Sequence, residues 1–183
     1  MTDVNTKLTD EVRAMVGVEG EFVEASWWVV DKEGLRRFCQ ALMDPDPAYW
    51  DDEYAKKGRY GQVVAPHIYA TYLGRTPPSM DDPVTNAFRQ NPVSDGIGGV
   101  RRGKGSLPRV PTDLVRILNA GNDMEIYELP ALGDRIYSQA RYAGIEERMG
   151  RDGNQMLIVT NETLYYNQRG DVLCVTRSSL MHR

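Results

Sequence analysis

The chain has 183 residues, enough for one domain that buries its own core without covalent or metal staples. Its 41% hydrophobic and 26% charged residues are those of an ordinary soluble globular protein, and a formal net charge of -4 offers no basic footprint for nucleic acid. Cys39 and Cys174 lie far apart in apolar contexts, which suits buried thiols in a reducing compartment better than a disulfide. The opening stretch, MTDVNTKLTDEVRAMVG, lacks the apolar centre of a secretory signal, and no apolar run is long enough to cross a bilayer. A cytoplasmic chain with no membrane contact is therefore expected.

Residues 1–20 read as an N-terminal arm. Within it Thr9-Asp10-Glu11, followed by Val12, Met15 and Val16, predicts a short capped helix closed by Gly17 and Gly20. The Val- and Trp-rich run Phe22–Val30 predicts a strand. Asp31 can cap a helix whose Leu35, Phe38, Cys39 and Leu42 recur at the spacing of one buried face. That helix is expected to stop at Asp44-Pro45, since proline disfavours helical geometry in the residue before it. A short helix is predicted over Asp51–Lys57, stopped by Gly58, and another over His67–Leu73, opened by Pro66. From 74 to 111 the chain is rich in proline and glycine with little periodicity, and a long loop insertion is expected; such a loop inside a compact domain is usually functional or covered by a partner.

A strand series follows: Leu118–Leu129, Asp134–Arg148, Gln155–Asn167 and Val172–Met181. The turns are signalled by Leu132-Gly133-Asp134, Gly150 to Gly153 and Asn167 to Gly170. Long antiparallel strands after a helical first half make an α+β plan, with 1–183 as a single domain. Wrapping such a curved antiparallel sheet around one apolar helix gives a hotdog fold, with Leu35–Met43 in the central helix.

The stretch Met43-Asp44-Pro45-Asp46-Pro47-Ala48-Tyr49 resembles the Gly-Asp-x-Asn-Pro-x-His motif of MaoC-like enoyl-thioester hydratases. Asp44 falls on the motif's aspartate and Pro47 on its proline; Asp46 replaces the asparagine, Met43 the glycine and Tyr49 the histidine. Three further pieces extend the likeness from about Gly20 to the C-terminal end. They are Gly61-Gln-Val-Val-Ala-Pro66, Asn119 to Glu125 with Leu132-Gly-Asp-Arg135, and Glu162-Thr163 with Asn167-Gln-Arg-Gly170. Together they resemble the N-terminal, fatty-acid-synthase-type dehydratase domain of the MaoC-like hotdog superfamily.

The resemblance implies an acyl-CoA or acyl-carrier-protein thioester as substrate. In catalytic members the aspartate and histidine work on a water and the α-carbon, while backbone N–H groups at a helix N-terminus polarise the thioester carbonyl. Such chemistry needs two titratable groups about one carbon–carbon bond and a preorganised oxyanion site. Asp44 can supply one group. Tyr49 is a poor base, since an unperturbed phenol titrates at about 10, though it can donate a hydrogen bond or a proton. The expectation is the degenerate half of a hydratase or dehydratase, paired with a catalytic MaoC-type subunit. The alternatives are a self-sufficient homodimer using Asp44 with His67 or Tyr49, and a non-catalytic acyl-CoA binding module.

Each candidate has a structural reading beside the functional one. Asp44 can be the acid/base or can close the Asp-Pro-Asp-Pro turn, and Asp46 reads as turn chemistry. His67 can replace the missing histidine or simply pack at a helix start, and His182 reads as structural or exposed. Trp27, Trp28, Tyr49, Trp50 and Tyr54 can line an acyl pocket, with Trp50 the substrate-contacting candidate, or serve as core and interface. Asn119 can touch substrate or hydrogen-bond at a strand edge. Arg101, Arg102 and Lys104, in a glycine-rich loop that matches no nucleotide fingerprint, can contact coenzyme A phosphates or lie in a flexible loop. Two distant histidines and two apolar cysteines give no metal-ligand spacing, and no cofactor is expected.

Overall fold

The structure is a computed structural model that describes residues 6–26, 28–72, 83–93 and 105–183. In chain order the elements are α1 (Asp10–Arg13), β1 (Val23–Glu24), α2 (Lys32–Leu42), a 3-10 turn (Pro47–Tyr49), α3 (Asp52–Lys57), α4 (Tyr69–Tyr72), α5 (Pro83–Gln90), β2 (Ile117–Ile126), β3 (Tyr137–Met149), β4 (Gln155–Tyr166) and β5 (Val172–His182). The strands form one antiparallel sheet in the order β1-β3-β4-β5-β2.

Leu157, Val159 and Tyr165 alternate along β4, so they share one face of the sheet. Over one end of that face lies α2, whose Leu35 and Phe38 pack with Val30, Ala65, Tyr69, Ile136, Leu173 and Cys174. Burying Leu35 completely contributes about 1.5–3 kcal/mol on transfer grounds. Phe38 meets the Tyr69 ring edge-on at 5.0 Å and the Tyr72 ring at 4.9 Å, tying α4 to α2. Over the other end lies the N-terminal arm: Val12 and its neighbours pack on Tyr142, Ile145, Leu157 and Val159, joined by Leu107, Val110 and Leu114 from the segment before β2.

The opposite face carries Glu162, only 4% exposed, between Arg141 on β3 and Arg177 on β5. Both arginines donate to it at 2.7 Å through Nε. Arg177 also donates to Glu125 on β2, so four strands are linked across one row. Burial pushes the Glu162 carboxyl up, but the two guanidinium hydrogen bonds outweigh it and hold it below the usual range.

Strands β2 to β5 fall within a few residues of the expected ranges. The first strand is shorter than the expected Phe22–Val30: only Val23 and Glu24 pair regularly with β3, because the chain from Ala25 turns along Ile136 toward the start of α2. The expected loop insertion at 74–111 contains one helix, α5, and the glycine-rich stretch with Arg101, Arg102 and Lys104 lies outside the described residues, as does Trp27. Both cysteines are free and buried. Among the described residues no helix is long and apolar enough to cross a membrane.

Candidate active site

The candidate site is built on the C-terminal end of α2. Asp31 starts the helix, its Oδ1 accepting the Gly34 N–H at 2.9 Å. Leu42 ends it, and Met43 takes a left-handed conformation, φ 56° and ψ 38°. This is the αL cap that closes helices most comfortably with glycine, which accounts for the glycine of the motif that Met43 replaces. The reversal lets the Asp44 N–H donate to the Cys39 carbonyl at 2.9 Å and points the chain away from the helix axis.

From there each residue has a local job. Asp44 Oδ1 accepts the Asp46 N–H at 3.2 Å, and Asp46 Oδ1 accepts the Ala48 N–H at 2.9 Å, capping the 3-10 turn. Pro47 sits at the first position of that turn, where it gives up no hydrogen bond. Tyr49 is then driven inward and buried against Cys39, Ala48, Val64 and Leu129. Burial, followed by the nearby charges of Asp44 and Asp46, raises the Tyr49 phenol above its ordinary value. It is therefore protonated at neutral pH, a donor and not a base. The Cys39 thiol is raised in the same order of causes, burial first and then Asp44.

Residues 64–65, Asp134 and Asn167–Arg169, from the other pieces of sequence likeness, are linked in a chain of hydrogen bonds beside this turn. The Val64 N–H donates to the Ala48 carbonyl at 3.4 Å, Val64 bridges Ala131, and the Ala65 N–H donates to Pro130 at 2.7 Å. Buried Asp134 holds that crossing: its carboxylate accepts the Ala131 N–H at 2.9 Å, Gln168 Nε2 at 3.1 Å and Arg169 Nη1 at 3.0 Å. The Asp134 carbonyl accepts the Val30 N–H at 2.9 Å, fixing the entry to α2. Asn167 caps its own turn by accepting the N–H groups of Arg169 and Asp171.

Asp44 and Tyr49 are thus brought together. Half-exposed Trp50 covers the same turn, its indole N–H reaching the Pro45 carbonyl at 3.4 Å. His67 is exposed in the turn before α4, and among the described residues no hydrogen bond joins it to Asp44 or Tyr49. Asn119 lies on β2, exposed, its Oδ1 accepting the Gly121 N–H at 3.1 Å where the register shifts. Trp28 and Tyr54 are exposed, and His182 is buried. Sequence reasoning named Cys39 and Val64 for other reasons and Leu129 only as a strand end, and it did not place these three as the walls around Tyr49. Leu129 is separated from Tyr49 by eighty positions and only the fold reveals it. Among the described residues no three His, Cys, Asp or Glu side chains gather in a way that could hold a metal.

Residues 14–176 match the family described as the FAS1-like dehydratase domain region. The chain belongs to that family. A UPF0336 protein of Saccharopolyspora erythraea is 23% identical over 163 residues, covering 89% of this chain and 86% of that protein. Among solved structures, the ChsH1–ChsH2 complex of Mycobacterium tuberculosis superposes with a TM-score of 0.65 at 10% identity, over 94% of this chain and 86% of that one. The C-terminally truncated HadBC complex, a 3R-hydroxyacyl-ACP dehydratase of the same organism, gives 0.55 at 18% identity, over 91% and 96%. At such identities these structures speak for the fold alone: an α+β hotdog domain.

Proposed function

We propose that this chain is the hotdog subunit of an enoyl-thioester hydratase or 3-hydroxyacyl-thioester dehydratase that lacks its own acid/base pair and works beside a MaoC-type catalytic subunit. The observation that carries the reading is Tyr49. It stands where the motif has histidine, and it is buried among Cys39, Val64 and Leu129 with its phenol kept protonated. Adding water across a conjugated double bond requires one group to take a proton from water and another to deliver one to the α-carbon. In this reading Asp44 would serve one transfer, but its neighbour Tyr49 cannot accept a proton at neutral pH, and His67 lies in the turn before α4.

Strand β2 supports a partnered assembly. It pairs with β5 alone among the described strands, and its ten residues, ILNAGNDMEI, contain no proline or lysine to blunt the open edge. Two structural neighbours are named as two-component complexes, ChsH1–ChsH2 and HadBC. The substrate class that goes with this reading is an acyl thioester of coenzyme A or of a carrier protein.

The test is hydration of crotonyl-CoA and longer enoyl-CoAs by the purified chain, alone and co-expressed with a hotdog protein bearing an intact Asp-x-Asn-Pro-x-His motif. No turnover alone and turnover in the pair is expected. Turnover by the lone chain that disappears in Asp44→Ala would replace this reading with the self-sufficient homodimer, and His67→Ala would then assign the second group. Acyl-CoA binding without turnover in either preparation would leave a binding module.

A further inference from the structure

The face of the sheet that carries both apolar clusters is interrupted between them. On one side lies the α2 cluster, on the other the cluster under the N-terminal arm. Between them β4 places Asn161 and Thr163, where its alternation calls for apolar side chains like those of Leu157 and Val159. On β5 Ser178 stands opposite Asn161 and Thr176 opposite Thr163, and on β2 Asn122 stands opposite Ser178. Residues directly opposite on antiparallel strands share a face, so these five polar side chains form one band. The band is in register on three strands and runs from the middle of the sheet to the β2 edge.

Solvent reaches this band although it lies on the core-bearing face. Asn161, Thr163, Thr176 and Ser178 are partly buried and Asn122 is exposed, whereas Leu157 and Val159 are sealed. At its centre the Asn161 side-chain oxygen is buried and, among the described residues, accepts no hydrogen bond. A buried acceptor left unpaired costs stability, and leucine would fill nearly the same volume without that cost. The group that meets the need is one that donates a hydrogen bond from within an otherwise apolar ligand. An alcohol hydroxyl does so, and it can also accept from the Ser and Thr hydroxyls beside it. The borders suit the rest of such a ligand: Met124 and Tyr165, which pack on the α2 cluster, and Leu180, opposite Val159, are apolar. A plain hydrocarbon chain laid there would leave Asn161 unpaired and strip water from its polar neighbours.

We propose that this band is the subsite for a hydroxyl carried on the acyl chain of the substrate, away from the thioester, with Asn161 as its principal hydrogen-bond partner. The proposal rests on the reading of the chain as a subunit of a thioester hydratase. A subunit without its own acid/base pair acts through what it binds, and the band narrows that to acyl chains oxygenated along their length.

The probes are saturated acyl-CoAs from hexanoyl to decanoyl, each beside its counterpart hydroxylated at the chain end. They are titrated calorimetrically against the full chain and against the co-expressed pair. At one length the hydroxylated chain should bind at least about fivefold more tightly than the plain one. In Asn161→Leu that ratio should fall to about one or reverse, and in Ser178→Ala it should fall in part, while Asn161→Leu melts no lower than wild type. A ratio near one at every length, the same ratio in Asn161→Leu, or no binding of either series would overturn the proposal. An equal loss of affinity for both series in an Asn161→Leu protein that melts lower would assign Asn161 to structure and overturn it too. Crotonyl-CoA, whose chain carries no hydroxyl, separates this proposal from the reading beneath it. Its hydration by the pair without any hydroxyl preference would overturn the subsite alone. A hydroxyl preference that is lost in Asn161→Leu, with no hydration by any pair, would keep the subsite and overturn the hydratase reading.

Discussion

Asp134 offers the sharpest quantitative test of how the candidate site is held in place. Its side chain is 3% exposed and accepts three hydrogen bonds, from the Ala131 N–H, Gln168 and Arg169. In Asp134→Ala the two long side chains can turn to water, since both are exposed, so their loss costs little. The Ala131 N–H cannot, because Ala131 is itself buried. A buried donor left unpaired costs about 1–3 kcal/mol, and the cavity left by the carboxylate adds to it, so a loss of about 2–3 kcal/mol is expected. For a chain of this size that is a fall in Tm of roughly 4–12 °C. Arg169→Ala, which removes only the exposed partner, should cost no more than about 1 kcal/mol. Urea unfolding at fixed protein concentration measures both. Equal losses in the two variants, or a loss below about 0.5 kcal/mol in Asp134→Ala, would refute the argument that the buried N–H decides the cost.

Met43→Gly should stabilise the chain by about 0.5–1 kcal/mol, because Met43 is 87% exposed, packs little and occupies a left-handed cap; a thermal melt checks it. Glu162 is held ionised below its unfolded value near 4.3, so its contribution is complete above that pH and is lost as pH falls through the lower folded value. Glu162→Gln should therefore destabilise at pH 7, and the gap to wild type in urea midpoint should narrow below about pH 4. Tyr49→Phe preserves the packing and should change stability by less than about 1.5 kcal/mol, whereas Tyr49→Ala should cost about 3–5 kcal/mol in the same urea assay.

Much of the architecture was legible because its signals are local. The Asp31 cap and the short helix stopped by Gly58 appear where the residues predict them, and of the expected stripe Leu35, Phe38 and Cys39 are buried while Leu42, at the open end of α2, is exposed. The four long strands announce themselves by alternation and by glycine turns, and Gly133, Gly153 and Gly170 all have the positive φ such turns require. What could not be read depends on distant contacts. Nothing local says that the Phe22–Val30 run stops pairing after Glu24, since its path is set by hydrogen bonds from Ala25 and Ser26 to Ile136 and from Val30 to Asp134, more than a hundred positions away. Nothing local buries Tyr49 while leaving Trp50, the next aromatic, half-exposed; that follows from Val64 and Leu129 arriving from other parts of the chain.

The geometry of the Met43–Tyr49 stretch also changes how a partial motif is weighed. Position 43 needs a left-handed cap, position 44 a carboxylate that closes the next turn, position 46 an acceptor for the Ala48 N–H, and position 47 a residue that can forgo its own N–H. These demands come from turning the chain at the end of α2, and they hold whether or not the domain catalyses anything. Agreement with the hydratase motif at Asp44 and Pro47 therefore speaks for the fold. Position 49 is different: the backbone there asks only for a side chain that fills the space between Cys39, Val64 and Leu129, which tyrosine does. A histidine at that place is asked for by proton transfer alone, so its absence bears on chemistry with a weight that the matching residues do not share.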